Sequence, residues 1–213
     1  MSTVMLLMRH GETAWNRGKL FRGTFDTPLN ETGKTQAGLL ANVLKTRKID
    51  AAYSSPLSRA RETADISLAE HHMEPVIEEG FLDINYGDWT GKKDSDVAEQ
   101  WPQEHAAWAT EPQEVQIPGG EMLQAVFDRA FSTMENIVIR HAGQTVAIYA
   151  HRVVNKVLVL GALGLGLDRF KYIIQDNCCV NEFVREEAGY IIRSVNNISH
   201  IADSGAELLT ADF

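Results

Sequence analysis

Val4-Met5-Leu6-Leu7-Met8-Arg9-His10-Gly11-Glu12-Thr13 decides the fold class, together with a second stretch of the same kind, Thr145-Val146-Ala147-Ile148-Tyr149-Ala150-His151-Arg152. Each is a short apolar run that stops abruptly at an arginine and a histidine. An unbroken run without polar alternation is the pattern of a strand covered on both faces, the condition of a parallel sheet flanked by helices. Ala51-Ala52-Tyr53-Ser54 reads as a further, weaker strand. Helical stripes lie between. Ala37, Leu40, Ala41 and Leu44 form one. Met122, Val126, Phe127, Ala130, Phe131, Met134, Ile137 and Val138 form a longer one, with Gly119-Gly120 ahead of it and Gly143 behind. Val153 to Leu163 is apolar nearly all round, as in a helix packed under a sheet, and Gly161, Gly164 and Gly166 read as its end. Strands alternating with helices predict parallel βαβ units and an α/β layered fold with a mostly parallel central sheet. Val180–Val184 and Tyr190–Val195 flank Glu186-Glu187-Ala188-Gly189, which predicts an antiparallel hairpin added toward the C-terminus.

The 213 residues suit a single domain, 1–213. Apolar residues are 44% and charged residues 23%, which places the chain among globular proteins and excludes disorder, collagen and coiled coil as its main content. Lysine and arginine number 20 and acids 29, a formal charge of −9. Such a chain binds nucleic acid and anionic membrane poorly, so an anionic ligand would need a local positive pocket. The two cysteines, Cys178 and Cys179, are adjacent, too close for an ordinary disulfide and too few for a disulfide scaffold. The apolar runs are far below membrane-helix length, and Met1–Met8 lacks the basic start of a signal or transit peptide. The expectation is a cytoplasmic protein with neither a membrane nor a nucleic-acid partner; no oligomeric state is read from the sequence. There is no His-Glu-x-x-His, Cys-x-x-Cys or compact carboxylate cluster, so no metal is expected. Neither glycine-rich nucleotide fingerprint occurs, so no cofactor is expected.

The internal strands end in Arg9-His10-Gly11-Glu12-Thr13, in Ser54-Ser55-Pro56-Leu57-Ser58-Arg59-Ala60-Arg61 and in His151-Arg152. Ligands of open α/β sheets bind outside the carboxyl ends of the strands. That crevice receives two arginines, two histidines and small residues that let backbone N–H groups approach a ligand. Guanidinium forks match phosphate or carboxylate oxygens. A single histidine after a strand is ordinarily structural; His10 and His151 together, each beside an arginine at a strand end, define an anion site with two imidazoles. His71, His72, His105, His141 and His200 have no such setting and read as solvated surface.

Arg9-His10-Gly11-Glu12-Thr13-Ala14-Trp15-Asn16 resembles the opening motif of the histidine phosphatase superfamily, the phosphoglycerate mutase-like proteins. The resemblance extends through Gly23, Asp26–Gly33 and Gln36-Ala37. It continues at Ser54–Ala64, at Leu82-Asp83-Ile84-Asn85-Tyr86-Gly87-Asp88-Trp89-Thr90-Gly91, at Pro118-Gly119-Gly120-Glu121 and at His151. The order and spacing cover roughly the first three quarters of the chain. The resemblance implies a three-layer α/β/α sandwich and a phosphate pocket. In it, His10 is the nucleophile that becomes phosphohistidine, Arg9, Arg59 and His151 complete the pocket, and Asp83 is the proton donor. His151 would donate a hydrogen bond to a phosphoryl oxygen. Asn16 and the backbone around Gly23 match secondary phosphate contacts.

Three positions depart from the family pattern. Asp83 stands where many relatives carry the longer Glu. Arg152 follows His151 where Gly is common, and Arg22 precedes Gly23 where an uncharged amide is frequent. Each of these two arginines reads either as a further binding residue or as a solvated charge. The segment 92–118 matches nothing and is expected to act as a lid or insertion that sets substrate choice. The implied function is metal-independent hydrolysis of a small phosphorylated metabolite through phospho-His10. The alternatives are mutase-type phosphoryl transfer and a phospho-ligand binding module without turnover. The form of the Leu82–Gly91 stretch favours the phosphatase branch.

Overall fold

The two apolar runs are neighbours in space. The computed structural model describes residues 2–204. Along the chain, β1 (Thr3–Arg9) leads into the helical turn α1 (Ala14–Arg17) and helix α2 (Glu31–Leu44). β2 (Ala51–Ser54) is followed by α3 (Ser58–Ser67) and the two-residue strand β3 (Val76–Ile77). α4 (Asp94–Gln100), α5 (Pro102–Thr110) and α6 (Leu123–Arg140) precede β4 (Thr145–Ala150). α7 (Arg152–Leu163) leads to the hairpin β5 (Val180–Glu186) and β6 (Gly189–Asn197), and α8 (Ser199–Ala202) follows. The sheet order is β3-β2-β4-β1-β5-β6. β3, β2, β4 and β1 run parallel, and β5 and β6 add antiparallel at β1's other side.

Period-two geometry sends successive side chains of a strand to opposite faces. Met5 and Leu7 of β1 and Val146, Ile148 and Ala150 of β4 therefore join one core, with Val126, Ala130 and Met134 of α6 and Val154 and Leu158 of α7. Leu6, Met8, Ala147 and Tyr149 join the other, with Ala37, Leu40 and Leu44 of α2 and Ala64 of α3. Both faces are covered, which is why the runs lack alternation and why the architecture is the expected three-layer sandwich. The chain leaves β1 toward α2 on one face and leaves β4 toward α7 on the other. The crevice between the ends of β1 and β4 is thus the topological switch point where open α/β sheets place their ligands.

Some local expectations are corrected. β3 was not expected: Val76 and Ile77 are exposed edge residues of a strand too short to carry a pattern. Gly161 lies inside α7 and does not end it; a Cβ there would stand 2.5 Å from the Phe131 ring. Gly164, left-handed at φ 67°, is the residue that caps α7. The segment 92–118 contains α4, α5 and a 3₁₀ turn at Pro112–Glu114. His72 is exposed, but His71, His105, His141 and His200 are half-buried. His71 Nε2 bonds the Leu44 carbonyl at 3.0 Å, His141 Nε2 bonds the Tyr53 hydroxyl at 2.7 Å, and His105 pairs with Asp94 at 2.8 Å. No helix among the described residues is long and apolar enough to cross a membrane.

Candidate active site

The β1–β4 register carries straight into the site. Arg9 lies opposite Ala150, and the His10 N–H donates to the Ala150 carbonyl at 3.1 Å. The loop after His10 folds against the start of α2 through two glycines. A Cβ on Gly11 would lie 2.6 Å from the Gly33 carbonyl oxygen, and one on Gly33 would lie 2.1 Å from that of Glu12. The His10 carbonyl accepts from Asn177 Nδ2 at 3.0 Å and from the Cys178 N–H at 3.3 Å. Both cysteines are buried and unbridged.

His10 Nδ1 lies 2.7 Å from the Gly11 carbonyl oxygen. A carbonyl only accepts, so Nδ1 carries the proton and Nε2 keeps its lone pair. Burial, followed by the charges of Arg59, Arg9 and Arg22, holds this imidazole well below its ordinary 6.5. His151 is fixed in the same way by different partners. Arg59 Nε–H can only donate, so His151 Nδ1, at 3.2 Å, accepts. His151 Nε2–H then donates to Ser55 Oγ at 2.7 Å. Its donor edge is therefore engaged by a serine of the chain in this structure. Burial, then Arg59 and His10, also push His151 well down. The two rings lie 5.3 Å apart, centre to centre.

Arg59, in the first turn of α3 and fully buried, is the hub. Beyond His151, its Nη1 donates to the Phe25 carbonyl at 2.9 Å. Its Nη2 donates to the Gly23 carbonyl at 2.8 Å and to Asp83 Oδ2 at 3.2 Å. Burial lowers its pKa to about 10 against the opposing pull of Asp83, so it stays cationic at neutral pH. Gly23 reaches Arg59 from a left-handed conformation, φ 51°, where a Cβ would lie 2.5 Å from the Ile84 carbonyl oxygen. Arg9 Nη1 donates to the Gln175 carbonyl at 2.6 Å. Asp83 Oδ1 accepts the Ile84 N–H at 3.0 Å, and Oδ2 lies 3.8 Å from His151 Nδ1. One carboxylate thus faces both the hub arginine and the second imidazole.

Arg22 and Arg152, at 7% and 9% exposure, are buried at the site. The reading of them as solvated charges is corrected: together with Gly23, Asp83 and Tyr86 they line a small niche beside Arg59. Asn16 is buried too, but its Oδ1 accepts from the Thr13 N–H at 2.8 Å and the Thr13 hydroxyl at 2.9 Å, closing the capping box of α1. Its carbonyl oxygen thus serves the local turn.

Sequence reasoning missed the residues that hold these groups in place. Arg129 on α6 donates to the carbonyls of Leu82 at 2.5 Å and Asp83 at 3.1 Å. Arg129 is itself held by Glu121, which also accepts the Asn85 N–H at 2.8 Å. The donor loop is therefore pinned by an ion pair distant in sequence. Glu121, inside Pro118-Gly119-Gly120-Glu121, was the available signal. Ser55 lay inside a quoted motif without a role. Among the described residues no three His, Cys, Asp or Glu side chains gather as a metal-binding group.

The two buried imidazoles make stability pH-dependent. Both are neutral in the fold but titrate near 6.5 in the unfolded chain. Below that pH the unfolded chain binds more protons. Each histidine then contributes stability that is complete above about 6.5 and lost as pH falls, at up to about 1.4 kcal/mol per pH unit. The melting temperature should therefore drop from pH 7 to pH 5, and a His10→Asn/His151→Asn double variant should show a shallower slope. An unchanged slope would mean that these imidazoles are not held neutral.

A doubly wound sheet with two neutral imidazoles and buried arginines at its switch point defines a phosphate-handling α/β enzyme. The chain belongs to the histidine phosphatase superfamily, branch 1, whose family model matches residues 5–198. It is 34% identical over 200 residues to phosphoserine phosphatase 1 of Hydrogenobacter thermophilus, covering 93% of this chain and 94% of that one. It is 31% identical to the metal-independent phosphoserine phosphatase of Arabidopsis thaliana, across 95% of this chain and 85% of its relative. The solved structure of Bacillus stearothermophilus YhfR superposes with a TM-score of 0.90 at 30% identity, across 93% of this chain and 99% of that one. By this kinship the chain is a phosphatase enzyme.

Proposed function

We propose that the protein hydrolyses small phosphomonoesters by passing the phosphoryl group first to His10 Nε2 and then to water, without a metal. The observation that supports this best is the fixed tautomer of His10, with a lone pair on Nε2 inside a pocket whose charges are guanidiniums. A phosphate dianion repels nucleophiles; Arg9, Arg59 and Arg22 offset its charge and orient it for in-line attack. The P–O ester bond breaks as the Nε2–P bond forms. Asp83 supplies the proton that the leaving alkoxide needs. The arriving dianion competes with Asp83 for Arg59 Nη2, which leaves the Asp83 carboxyl free to turn to the leaving oxygen. In the second step the Asp83 carboxylate takes a proton from water, the new O–P bond forms and the Nε2–P bond breaks, restoring His10. His151, braced by Ser55 and Arg59, offers its Nε2–H to the transferring oxygens when the Ser55 contact yields.

Phosphoserine is the first substrate to assay, because the relatives from Hydrogenobacter thermophilus and Arabidopsis thaliana, each matched over more than nine tenths of this chain, are phosphoserine phosphatases. Inorganic phosphate should be released by the wild type and not by His10→Ala. With 3-phosphoglycerate and a bisphosphoglycerate primer, free phosphate and not a rearranged monophosphate is expected, which separates hydrolysis from mutase transfer. Dialysis against EDTA should leave the rate unchanged, since arginines supply the positive charge. Loss of activity that Mg²⁺ or Zn²⁺ restores would contradict the mechanism. Segment 92–118 is assigned the choice of leaving group, because Asp94, His105 and Trp108 wall the large cavity next to the niche.

A further inference from the structure

Asp83 sits on a stretch without regular backbone pairing. Residues 82–86 follow the 3₁₀ turn Glu79–Phe81 and belong to neither helix nor strand. Their peptide groups must therefore find partners elsewhere. Arg129 and Glu121 supply them for Leu82, Asp83 and Asn85. Arg129 Nη1 donates to the Gly80 carbonyl at 3.0 Å as well as to that of Leu82. Its Nη2 donates to the Asp83 carbonyl and to Glu121 Oε2, the latter at 3.2 Å. Glu121 closes the circuit from the other side. Its Oε2 takes the Asn85 N–H, and its own N–H donates to the Asn85 carbonyl at 2.9 Å. A Cβ on Gly120 would collide with that carbonyl oxygen, so the turn before Glu121 meets the Asp83 segment backbone to backbone.

Arg129 is mounted on α6 between Val126 and Ala130, both wholly buried in the core. The support for the Asp83 backbone is thus an 18-residue helix packed under the sheet, not the loop itself. The Asp83 side chain has less support of its own. Oδ1 accepts from the N–H of the next residue, which moves with it, and Oδ2 accepts from Arg59 Nη2. A bound phosphate dianion takes that second partner away. From then on the backbone decides how far the carboxyl reaches, and aspartate has one methylene less than glutamate with which to make up an error.

We infer that Arg129 is the positioning residue for the general acid: with Glu121 it fixes the Asp83 backbone so that the short carboxyl reaches the leaving oxygen once phosphate has displaced it from Arg59. The inference rests on the phosphomonoesterase reading and adds to it a residue that acts on neither phosphate nor leaving group directly. Arg129 works through Asp83, so its loss matters only where Asp83 moves a proton. Those steps are protonation of the alkoxide and activation of water. Transfer of the phosphoryl group to His10 from a leaving group that needs no proton is independent of it.

The test measures benzyl phosphate, an alkyl ester, and p-nitrophenyl phosphate with wild type, Arg129→Lys, Asp83→Asn and the double variant. Lysine keeps the charge beside Glu121 but offers one ammonium to acceptors that the guanidinium reaches through separate nitrogens. Arg129→Lys should lower kcat for benzyl phosphate on the order of 10²-fold, the cost of a displacement of about 1 Å at a reacting group. The same variant should release its first equivalent of p-nitrophenol at nearly the wild-type rate, and slow dephosphorylation should make that release a visible burst. Added to Asp83→Asn, it should cost nothing further on benzyl phosphate, because the group it positions is gone. Glu121→Gln keeps an acceptor for the Asn85 N–H but removes the anionic partner of Arg129. It should show the same split in weaker form, and it carries the test if Arg129→Lys does not fold. An undiminished rate with benzyl phosphate, equal slowing of both esters, or a loss that multiplies in the double variant would overturn the role of Arg129. The phosphatase reading would still stand if His10→Ala abolished the wild-type activity. A wild type that hydrolyses neither ester would overturn both.

Discussion

Arg59→Lys should lower kcat/KM for every phosphomonoester by about 10³-fold or more, the scale on which an arginine stabilises phosphoryl transfer. Lysine keeps the charge but not the fork. In the structure the guanidinium reaches His151 through Nε, Phe25 through Nη1, and Gly23 and Asp83 through Nη2. An ammonium has one point of attachment and cannot orient an imidazole, a carboxylate and a phosphate together. Because the charge is preserved, Asp83 keeps a cationic neighbour and the fold should survive. Near-UV circular dichroism should overlay that of the wild type while steady-state assays record the loss. A drop smaller than tenfold with the fold intact would show that Arg59 is not the hub of the reaction.

Asp83→Asn should divide substrates by leaving group. An alkoxide leaves poorly without a proton, whereas p-nitrophenolate leaves readily. General acid catalysis is worth about 10²–10⁴-fold where it is needed. The variant should lose that much in kcat on alkyl phosphates and far less in the phosphoryl-transfer step of p-nitrophenyl phosphate. The second step still needs a base, so phosphorylated enzyme should accumulate with the aryl ester, and rapid mixing should show a burst of p-nitrophenol. Equal slowing of both substrate classes without a burst would remove Asp83 from the role. Glu12 would then be the next candidate: Arg17 at 2.6 Å and Asn30 at 2.7 Å hold its Oε1, while its buried Oε2 has no hydrogen-bond partner among the described residues.

The layered fold was legible because β1 and β4 are covered on both faces, and burial on both faces writes an unbroken apolar run. Their neighbourhood was legible for the same reason: each run ends in a polar cluster that only a shared crevice explains. β3 was not legible, since two exposed residues at a sheet edge carry no period. Helix α7 extends through Gly161, because packing on Phe131 outweighs the weak helix propensity of glycine. At the site, His10, Arg59 and Asp83 lie in motifs with local grammar. Arg22 and Arg152 do as well, but sequence gives an arginine no mark of burial; the niche that buries them is assembled from segments far apart along the chain. Arg129, Ser55 and Gln175 were invisible as site residues because their partners are brought close only by the fold.

The phosphorylated intermediate tests the central claim most directly. Rapid alkaline quenching during turnover, where phosphohistidine is stable and phosphoserine is not, followed by peptide mass spectrometry, should find phosphate on the peptide that carries His10. The signal should be enriched in Asp83→Asn turning over p-nitrophenyl phosphate. Phosphate found only on His151, or on no peptide under conditions of good turnover, would contradict the account.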